Sequence, residues 1–390
     1  MTIDRTSSSA RGFGVFFDPS KATSGQRFFQ DLSCELSGEA IPLERKPNVV
    51  LFNVSASIKE ILAAKRQGQK ICLRIDGMYF DRLSPPFIAS FNRPMRALLR
   101  FGTKWPAVHD HLAFIANLID QNYGAFARIL LADRVIYQSV FSQTVHSRYF
   151  PDRPFDIIVN GSAFRANERP ARATSIKGEI RLVTTYDDWK PSKRVHDVLA
   201  FVRWARHVKG APLRLTVLGY TGNVPACAPP EMRSLLENTP YVDTIPRFKA
   251  YEGSVRDALF GSDLYITFTH KDPCPNAVVE AMAHGLPVVG VDSGGMPDIV
   301  GDAGILVPEE GADAFFTSYR YECDFPSIDF DRVLAAVMTV ASARMDFEAR
   351  VATRFEADLN IDVVASRYAA VLRRMAGVDP ELRVRQTAAT

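Results

Sequence analysis

Apolar runs and helical patterns alternate along most of this chain. Ten apolar runs predict strands, at 12–17, 49–54, 70–76, 134–138, 156–159, 180–184, 213–218, 242–245, 264–268 and 286–291. Between such runs, apolar positions recur at helical spacing, as in residues 57–66, where Ser57 is suited to cap the helix. Strands that alternate with helices through short connections are typical of parallel sheets covered by helices. The pattern therefore predicts an α/β protein.

A break in this alternation lies in residues 162–178. The stretch is rich in Arg, Ala, Ser and Thr and has no apolar periodicity, so it predicts a linker. A chain of 390 residues is also long for a single core. We expect an N-terminal domain over 1–165, a C-terminal domain over 166–360, a further helix over 361–378 and a disordered tail over 379–390.

Residues 270–295 hold the densest group of candidate functional residues. They read HKDPCPNAVVEAMAHGLPVVGVDSGG, which predicts a polar loop, a short helix capped by Asn276, a buried strand and a glycine turn. The N–H groups at the start of such a helix favour an anion such as a diphosphate. The candidate ligands of this anion are the residues around the helix start: Cys274, Asn276, Ala277 and Val278.

Two carboxylates, Asp272 and Glu280, lie eight residues apart across this junction of loop and helix. One turn into the helix, Glu280 is placed to accept two hydrogen bonds from the vicinal diol of a ribose. Asp272, on the loop, is placed to do the same for the hydroxyls of a hexose. Each residue also has a plain structural interpretation. Glu280 fits an exposed helical glutamate, and Asp272 fits a turn residue that caps the backbone.

The spacing of these residues resembles the donor-binding motif of glycosyltransferase family 4, the retaining GT-B enzymes (glycosyl transferases group 1). That motif is typically E-x7-E followed by AxAxGxPVV and a glycine turn. Here Asp272 and Glu280 form D-x7-E, followed by AMAHGLPVVG and the turn at 294–298. The resemblance implies a GT-B fold, with two Rossmann-like domains whose parallel sheets face a central cleft. It also implies that the cleft binds a nucleoside-diphosphate sugar without a metal or other cofactor.

The resemblance implies roles for further residues. Lys193 falls where the family places a lysine that neutralises the donor diphosphate, and Lys190 is expected to share this role because the family's partner arginine is missing here. Gly25 matches the glycine of the family's first loop, although that loop also fits an ordinary turn between strand and helix. Asp76 ends the third strand, where the family often has a histidine, and it equally fits a residue that caps the following turn. Asp272 likewise replaces the family's usual glutamate.

Bulk composition narrows the class of protein. The net charge of +3 on 390 residues is too small to indicate nucleic-acid binding. The five cysteines show neither CxxC nor paired histidine spacing, which argues against a structural zinc and a disulfide framework and favours a reducing compartment. No apolar run approaches the roughly 18–20 residues of a membrane span, and the first residues lack the apolar core of an export signal. We therefore expect a cytoplasmic protein.

A basic amphipathic stretch interrupts the first half of the chain. Apolar and basic side chains are interleaved there: Phe87, Phe91, Arg93, Arg96, Leu98, Leu99, Arg100, Phe101, Lys104 and Trp105. Such a stretch is typical of a helix on an anionic membrane surface, and residues 87–105 would then contact the inner face of the cell membrane. It equally fits a core-facing helix with a solvated basic side.

Together with the resemblance, these features predict an enzyme that transfers a hexosyl unit, with retention of configuration, from a nucleoside-diphosphate sugar. The acceptor would be a glycan or lipid-linked glycan in surface polysaccharide or glycoconjugate biosynthesis. One alternative is a sugar-nucleotide epimerase on the same two-domain scaffold. Another is a non-catalytic protein that keeps the nucleotide-sugar site. A dehydrogenase is disfavoured because no GxGxxG follows the first strand of either half.

Overall fold

The computed structural model describes residues 10–17, 24–78, 80–164, 178–186, 191–246, 253–311 and 325–378. The chain divides into two compact units. The first unit contains 1–76, 123–163 and 358–390, and the second contains 77–122 and 164–357. Most of the predicted linker, the predicted tail and Lys190 lie outside the described residues. The chain passes from the first unit to the second between Ala163 and Phe164, next to the predicted domain boundary.

Strands and helices alternate along the described residues. The strands are β1 (Ala10–Val15), β2 (Pro47–Phe52), β3 (Lys70–Arg74), β4 (Arg134–Tyr137), β5 (Phe155–Ile157), β6 (Ile180–Thr185), β7 (Leu213–Leu218), β8 (Val242–Ile245), β9 (Leu264–Thr267), β10 (Val288–Asp292), β11 (Gly304–Glu310) and β12 (Ser327–Ile328). The α-helices are α1 (Ser24–Leu36), α2 (Ile58–Arg66), α3 (Pro85–Ala89), α4 (Arg93–Gly102), α5 (Pro106–Asn117), α6 (Tyr123–Leu131), α7 (Val140–Ser147), α8 (Val195–Lys209), α9 (Met232–Glu237), α10 (Ser254–Gly261), α11 (Asn276–Ala283), α12 (Met296–Val300), α13 (Phe330–Ser342), α14 (Arg344–Arg354) and α15 (Ile361–Ala376). Short 3₁₀ turns lie at Leu43–Arg45 and Pro191–Lys193, and π-helical turns lie at Leu118–Asn122 and Phe355–Leu359.

The first unit is built on a five-stranded parallel sheet in the order β1-β2-β3-β4-β5. Helices α1 and α15 pack against each other, and α15 also contacts β1 and β2. The buried residues of this core include Phe29, Leu51, Cys72 and Tyr368. Helix α15, from the far end of the chain, therefore shares one core with α1, β1 and β2.

The start of α2 shows how local sequence sets the boundary of an element. The Ser57 hydroxyl accepts from the Glu60 amide at 3.2 Å, and the Glu60 carboxylate accepts from the Ser57 amide at 2.7 Å. The hydroxyl thereby satisfies a first-turn amide that has no partner within the helix, and the carboxylate satisfies the amide of the cap residue itself. The predicted cap at Ser57 is confirmed, and the helix begins at Ile58.

The second unit is built on a seven-stranded sheet in the order β12-β11-β10-β9-β6-β7-β8. Neighbouring strands run parallel except β11 and β12, which are antiparallel. All four residues of β9 are buried, as expected of a parallel strand that is covered on both faces. The α/β class and the two mainly parallel sheets predicted from the sequence are confirmed.

Residues 80–122 of the second unit form helices, with no strand in this range. The Asp81 amide donates to the side chain of Asn117, and the Asn117 side chain donates to the Asp81 carbonyl, each at 2.8 Å. Helices α4 and α5 approach closely at Gly102, where an added Cβ would lie 2.5 Å from the Leu112 side chain. The glycine therefore permits the contact between the two helices.

Two predicted helix starts are wrong by one to three residues. The helix expected to begin at Ser192 begins at Val195, because the chain first makes a 3₁₀ turn and Arg194 then takes a left-handed conformation with φ +52°. Asn276 was expected to cap α11 but is its first helical residue. Pro275 occupies the cap position in an extended conformation, and no side-chain cap bond forms. A proline immediately before the first helical residue already fixes the entry of the chain.

The described cysteines depart from one sequence expectation. Cys34, Cys72 and Cys274 are not joined in disulfide bonds, whereas Cys227 is disulfide-bonded. Spacing rules detect frameworks of several cysteines and give no signal for a single bridge. No helix in the described part of the chain combines the length and apolar character needed to cross a membrane.

Candidate functional site

Four neighbouring strands of the second unit run in the same direction: β6, β9, β10 and β11. The segment after β6 carries Lys193, the loop after β9 carries Asp272, and the turn after β10 carries Gly294. Glu309 lies at the end of β11 itself. Because parallel strands share one carboxyl edge, these residues gather at a single edge of the sheet, where open α/β sheets bind their ligands.

A lysine and a carboxylate meet at this edge. The Lys193 ammonium lies 2.9 Å from one oxygen of Asp272, and the two side chains are only 15% and 14% exposed. Such a pair is screened less by solvent and salt than a surface pair. The other Asp272 oxygen accepts from the Cys274 amide at 3.1 Å, which fixes the orientation of the carboxylate. Both residues were predicted for the site, and the structure brings them into contact.

The glycine turn after β10 holds the backbone of Asp272. The Gly295 amide donates to the Asp272 carbonyl at 2.8 Å, and the Lys271 amide donates to the Ser293 hydroxyl at 2.9 Å. Gly294 has φ +62°, and a Cβ there would lie 2.3 Å from the Asp272 carbonyl oxygen. Both the backbone angle and the lack of space therefore require glycine.

Helix α11 begins directly after the loop that carries Asp272. Cys274 and Val278 are buried. If they bind an anion, they do so through their backbone amides. The Cys274 amide already serves Asp272, and the Val278 amide donates to the Pro275 carbonyl at 2.9 Å. By helix geometry, the first amides of α11, on Asn276 and Ala277, point out of the helix start and carry its partial positive charge.

Tyr265, in β9, is a site residue that the sequence reasoning missed. Its hydroxyl lies 2.6 Å from the Thr185 hydroxyl at the end of β6. Burial raises the pKa of Tyr265 above its ordinary value, against the Thr185 hydrogen bond and the charge of Lys193, while the charge of Glu280 raises it further. The phenol therefore stays neutral, and both Lys193 and Glu280 lie within electrostatic reach of it. Glu280 itself is half-buried, one turn into α11.

A buried charge cluster supports the two loops that carry Lys193 and Asp272. Arg194 Nη1 donates to Glu309 at 2.8 Å, and Nδ1 of His270 lies 2.9 Å from the other Glu309 oxygen. The His270 amide also donates to the Ser192 carbonyl at 2.8 Å. Because Arg194 follows Lys193 and His270 precedes the Asp272 loop, this cluster joins the two loops to the end of β11.

The charge of Glu309 is well compensated in this cluster. Burial raises the pKa of its carboxyl, but hydrogen bonds from His270 and Ser293 and the charges of His270 and Arg194 outweigh burial and hold the pKa below its ordinary value. An ionised carboxylate with several donors is the usual way in which a buried charge is tolerated. The cluster is therefore a fixed support beneath the candidate site.

Two predicted residues, Gly25 and Asp76, belong to the first unit. Gly25 is the second residue of α1. Asp76 follows β3, and its Oδ1 accepts from Arg74 at 2.8 Å and from Gln138 at 2.5 Å. Arg74 also donates to Asn160 at 2.9 Å, and Asn160 donates to Gln138 at 3.2 Å. These four polar side chains form a ring at the ends of β3, β4 and β5, and this ring holds Asp76.

A buried histidine lies within electrostatic reach of Asp76. Nδ1 of His146, on α7, lies 2.6 Å from the Ser142 carbonyl, and its Nε2 has no hydrogen-bond partner among the described residues. Burial lowers the pKa of His146 to about 4, although the Ser142 carbonyl and the charge of Asp76 raise it. The imidazole is therefore neutral at pH 7.

The residues gathered at the edge of the second sheet are Lys193, Asp272, Cys274, Asn276, Ala277, Val278, Glu280 and Tyr265. Lys190 lies outside the described residues, and Asp76 and Gly25 lie in the other unit. Within the described ranges, no group of three or more His, Cys, Asp or Glu side chains is arranged to hold a metal ion.

The supporting residues were missed because their role depends on tertiary contacts. Arg194 and His270 each adjoin a predicted segment, but sequence alone does not say that they share Glu309 as a partner. Tyr265 looked like one more apolar residue of a buried strand. The signal that could have identified Tyr265 is its hydroxyl, because a polar group at a buried position must find a hydrogen-bond partner.

A comparison with known families concerns the same part of the chain. Residues 189–320 match the model of a family described as "Glycosyl transferases group 1". This range contains Lys193, Asp272, Glu280 and Glu309. Among curated proteins, none matches the sequence of this chain.

Solved structures share the fold at low sequence identity. A sucrose-phosphate synthase from Thermosynechococcus elongatus is 11% identical, with 93% of this chain and 82% of that chain covered and a TM-score of 0.53. A glycosyltransferase from Rickettsia africae ESF-5 is 10% identical, with 92% and 84% covered and a TM-score of 0.52. A pneumococcal O-GlcNAc transferase, in complex with UDP and GlcNAc, is 12% identical with a TM-score of 0.50, and 85% of this chain matches 57% of that chain. This chain thus has the GT-B fold of glycosyltransferases and carries, over residues 189–320, a domain that matches the glycosyl transferases group 1 family.

Proposed function

We propose that this protein transfers a hexosyl unit from a nucleoside-diphosphate sugar to a hydroxyl of a glycan or lipid-linked glycan, with retention of anomeric configuration. The observation that carries the proposal is the contact between Lys193 and Asp272 beside the start of α11, inside the range that matches the family. A cation, helix amides and a carboxylate at one sheet edge offer complementary partners for a diphosphate and for sugar hydroxyls.

Each part of the donor has a partner in this proposal. The amides at the start of α11 and the Lys193 ammonium bind the diphosphate, since an ammonium with three donors can contact phosphate and Asp272 together. Asp272 binds hydroxyls of the sugar, and Glu280 accepts from the ribose diol. The pneumococcal transferase of the same fold, whose structure contains UDP and GlcNAc, supports a uridine nucleotide as the first donor to test.

The proposed reaction needs no covalent intermediate on the protein. The bond between the anomeric carbon and the diphosphate oxygen breaks, and a bond between that carbon and the acceptor oxygen forms on the same face. The acceptor proton passes to the departing diphosphate. Negative charge on the leaving group grows in the transition state, so Lys193 and the helix amides stabilise the transition state more than the bound donor.

A panel of nucleotide sugars in a thermal-shift assay tests the proposal. A donor that binds the folded protein stabilises it by RT ln(1 + [L]/Kd), so one sugar nucleotide should raise the midpoint of unfolding well above the rest. The bound donor should then undergo slow hydrolysis without an acceptor. Release of an isomerised sugar nucleotide would instead identify an epimerase, and binding without any turnover would identify a non-catalytic protein.

A further inference from the structure

The second unit exposes an unusual concentration of apolar and basic side chains on α4 and in the turn that follows it. Leu98, Phe101 and Trp105 form an apolar row, and they are 46%, 53% and 57% exposed. Arg93, Arg100 and Lys104 form a basic row, and all three are exposed. We call the two rows together the basic-aromatic surface.

The two rows lie side by side on α4. Leu98 and Phe101 are three residues apart, and Arg93 and Arg100 are seven apart, so each pair shares a helix face. The rings of Phe101 and Trp105 stack with their centroids 5.8 Å apart, which extends the apolar row beyond the helix end. The opposite face is the one that packs inward, since Leu99 is fully buried and Gly102 contacts Leu112 of α5.

The apolar row therefore remains at the surface although α4 already packs through another face. The sequence allowed either a membrane-facing or a core-facing helix here. Leu98, Phe101 and Trp105 are not part of the core, so the core-facing interpretation does not apply to them. On α5 and the π-turn after it, Val108, Ile115 and Ile119 are exposed as well, so this part of the second unit presents further apolar side chains to solvent. Contiguous exposed apolar patches rimmed by charges mark interaction sites.

Residues 82–109, which contain α3 and α4, carry only positive formal charges. Residues 82–109 contain five Lys and Arg and no Asp or Glu. The whole chain carries a net charge of only +3, so this short range is more positive than the protein as a whole. The chemistry calls for an anionic partner that also accepts aromatic side chains.

We propose that the basic-aromatic surface docks on the anionic face of a phospholipid bilayer. In this arrangement the apolar row enters the headgroup region, where tryptophan and other amphipathic rings are preferred. The basic row contacts lipid phosphates, and its long side chains lie along the apolar surface with their charges in the headgroups. This docking does not depend on the transferase activity proposed above.

Two other occupants fit the surface less well. A second copy of this chain in a symmetric dimer would bring the same patch from each copy together, so the basic rows would repel each other. A soluble polyanion would satisfy the basic row but would leave the apolar row in water. A bilayer surface satisfies both rows at once.

Co-sedimentation with vesicles tests the proposal with the full-length protein. Vesicles of phosphatidylcholine mixed with phosphatidylglycerol should bind the protein, and added salt should weaken binding. Phosphatidylcholine alone should bind it far less. The double variants Phe101→Ser with Trp105→Ser, and Arg100→Gln with Lys104→Gln, should each lower the affinity by on the order of tenfold, since each removes two surface contacts.

Matched controls come from exposed residues elsewhere in the second unit. Met345→Ser with Val208→Ser removes two apolar side chains that are 81% and 66% exposed, and Arg332→Gln with Lys209→Gln removes two charges. These control variants should bind vesicles as the unaltered protein does. The unfolding midpoints of the test and control variants should be close to one another. Equal binding to both kinds of vesicle, equal loss in the controls, or binding to a soluble polyanion with none to vesicles would overturn the proposal. A dimer that the row variants dissociate, without vesicle binding, would do the same.

Discussion

At the scale of single residues, Lys193 and Asp272 form a mostly buried ion pair in the candidate site. Both side chains are mostly buried, and the turn at Gly294 and Gly295 fixes the backbone of Asp272. The ammonium is therefore held in place by the protein itself. Such preorganised charge acts without reorganisation at the moment of reaction.

Replacing Lys193 by Met should lower kcat about 10²–10³-fold, with a smaller effect on donor affinity. The charge of the leaving group is largest in the transition state, so loss of the ammonium should affect turnover more than binding. Steady-state kinetics and donor titration measure the two effects separately. Lys209→Met, on an exposed lysine of α8, is the matched control. A loss of donor affinity with kcat unchanged would show that Lys193 only binds the donor.

Because His146 is buried, the free energy of unfolding should depend on pH. Burial lowers its pKa in the folded state to about 4, whereas an exposed histidine has a pKa of about 6.5. Between these values the unfolded state binds a proton that the folded state does not, so stability falls as the pH is lowered from about 6.5 towards 4. Compared with His146→Gln, the unaltered protein should lose up to about 3 kcal/mol over this window.

Chemical denaturation at several pH values measures this difference. His111→Gln, which removes an exposed histidine of α5, is the matched control. If His146→Gln and the unaltered protein show parallel pH profiles, the folded His146 binds protons as the unfolded chain does, and the buried neutral state is ruled out.

At the scale of elements, the glycine turn after β10 is the part of the site whose shape is most tightly determined. Gly294 combines a positive φ with a Cβ position only 2.3 Å from the Asp272 carbonyl oxygen. Gly222 also has a positive φ, of +88°, but has open space around it. Comparing substitutions at the two glycines therefore distinguishes the energetic cost of the backbone angle, which both share, from the cost of crowding, which only Gly294 has.

Gly294→Ala should therefore cost more than Gly222→Ala. The second variant carries only the penalty of a left-handed alanine, about 1 kcal/mol, whereas the first must also displace the Asp272 loop. We expect Gly294→Ala to weaken donor binding at least tenfold, because the carboxylate and the neighbouring amides move together, as even small misplacements cost this much. Equal stability and equal donor binding in the two variants would contradict the role assigned to this turn.

Elements whose signal is local could be predicted from the sequence. The buried strands follow from apolar runs, and the start of α2 follows from Ser57 and Glu60. The start of α8 could not be predicted, because Arg194 takes its left-handed conformation while its side chain is held by Glu309, 115 residues away. The contiguous part of the candidate site, from Asp272 to Glu280, was likewise predicted from local sequence, whereas Lys193 was predicted only through the family resemblance. Tyr265 and Glu309 join it only through contacts across the sheet.

At the scale of the whole molecule, the chain leaves and re-enters each unit. Residues 77–122 group with the second unit, and the last helix groups with the first. The sequence shows an interruption of the strand-helix pattern near residue 84, but the grouping depends on contacts between distant segments and has no local signal. The domain boundaries drawn from the sequence remain a prediction.

The family match lies within the second unit, and the proposed function requires that Glu280 bind the ribose of a nucleoside-diphosphate sugar there. Calorimetric titration with the donor found in the nucleotide-sugar panel tests this claim most directly. A carboxylate that accepts two hydrogen bonds contributes several kcal/mol at most, so Glu280→Ala should weaken binding about a hundredfold. Glu231→Ala, which removes an exposed glutamate of the same unit, should leave it unchanged. Donor binding by Glu280→Ala as tight as that of the unaltered protein would contradict the account.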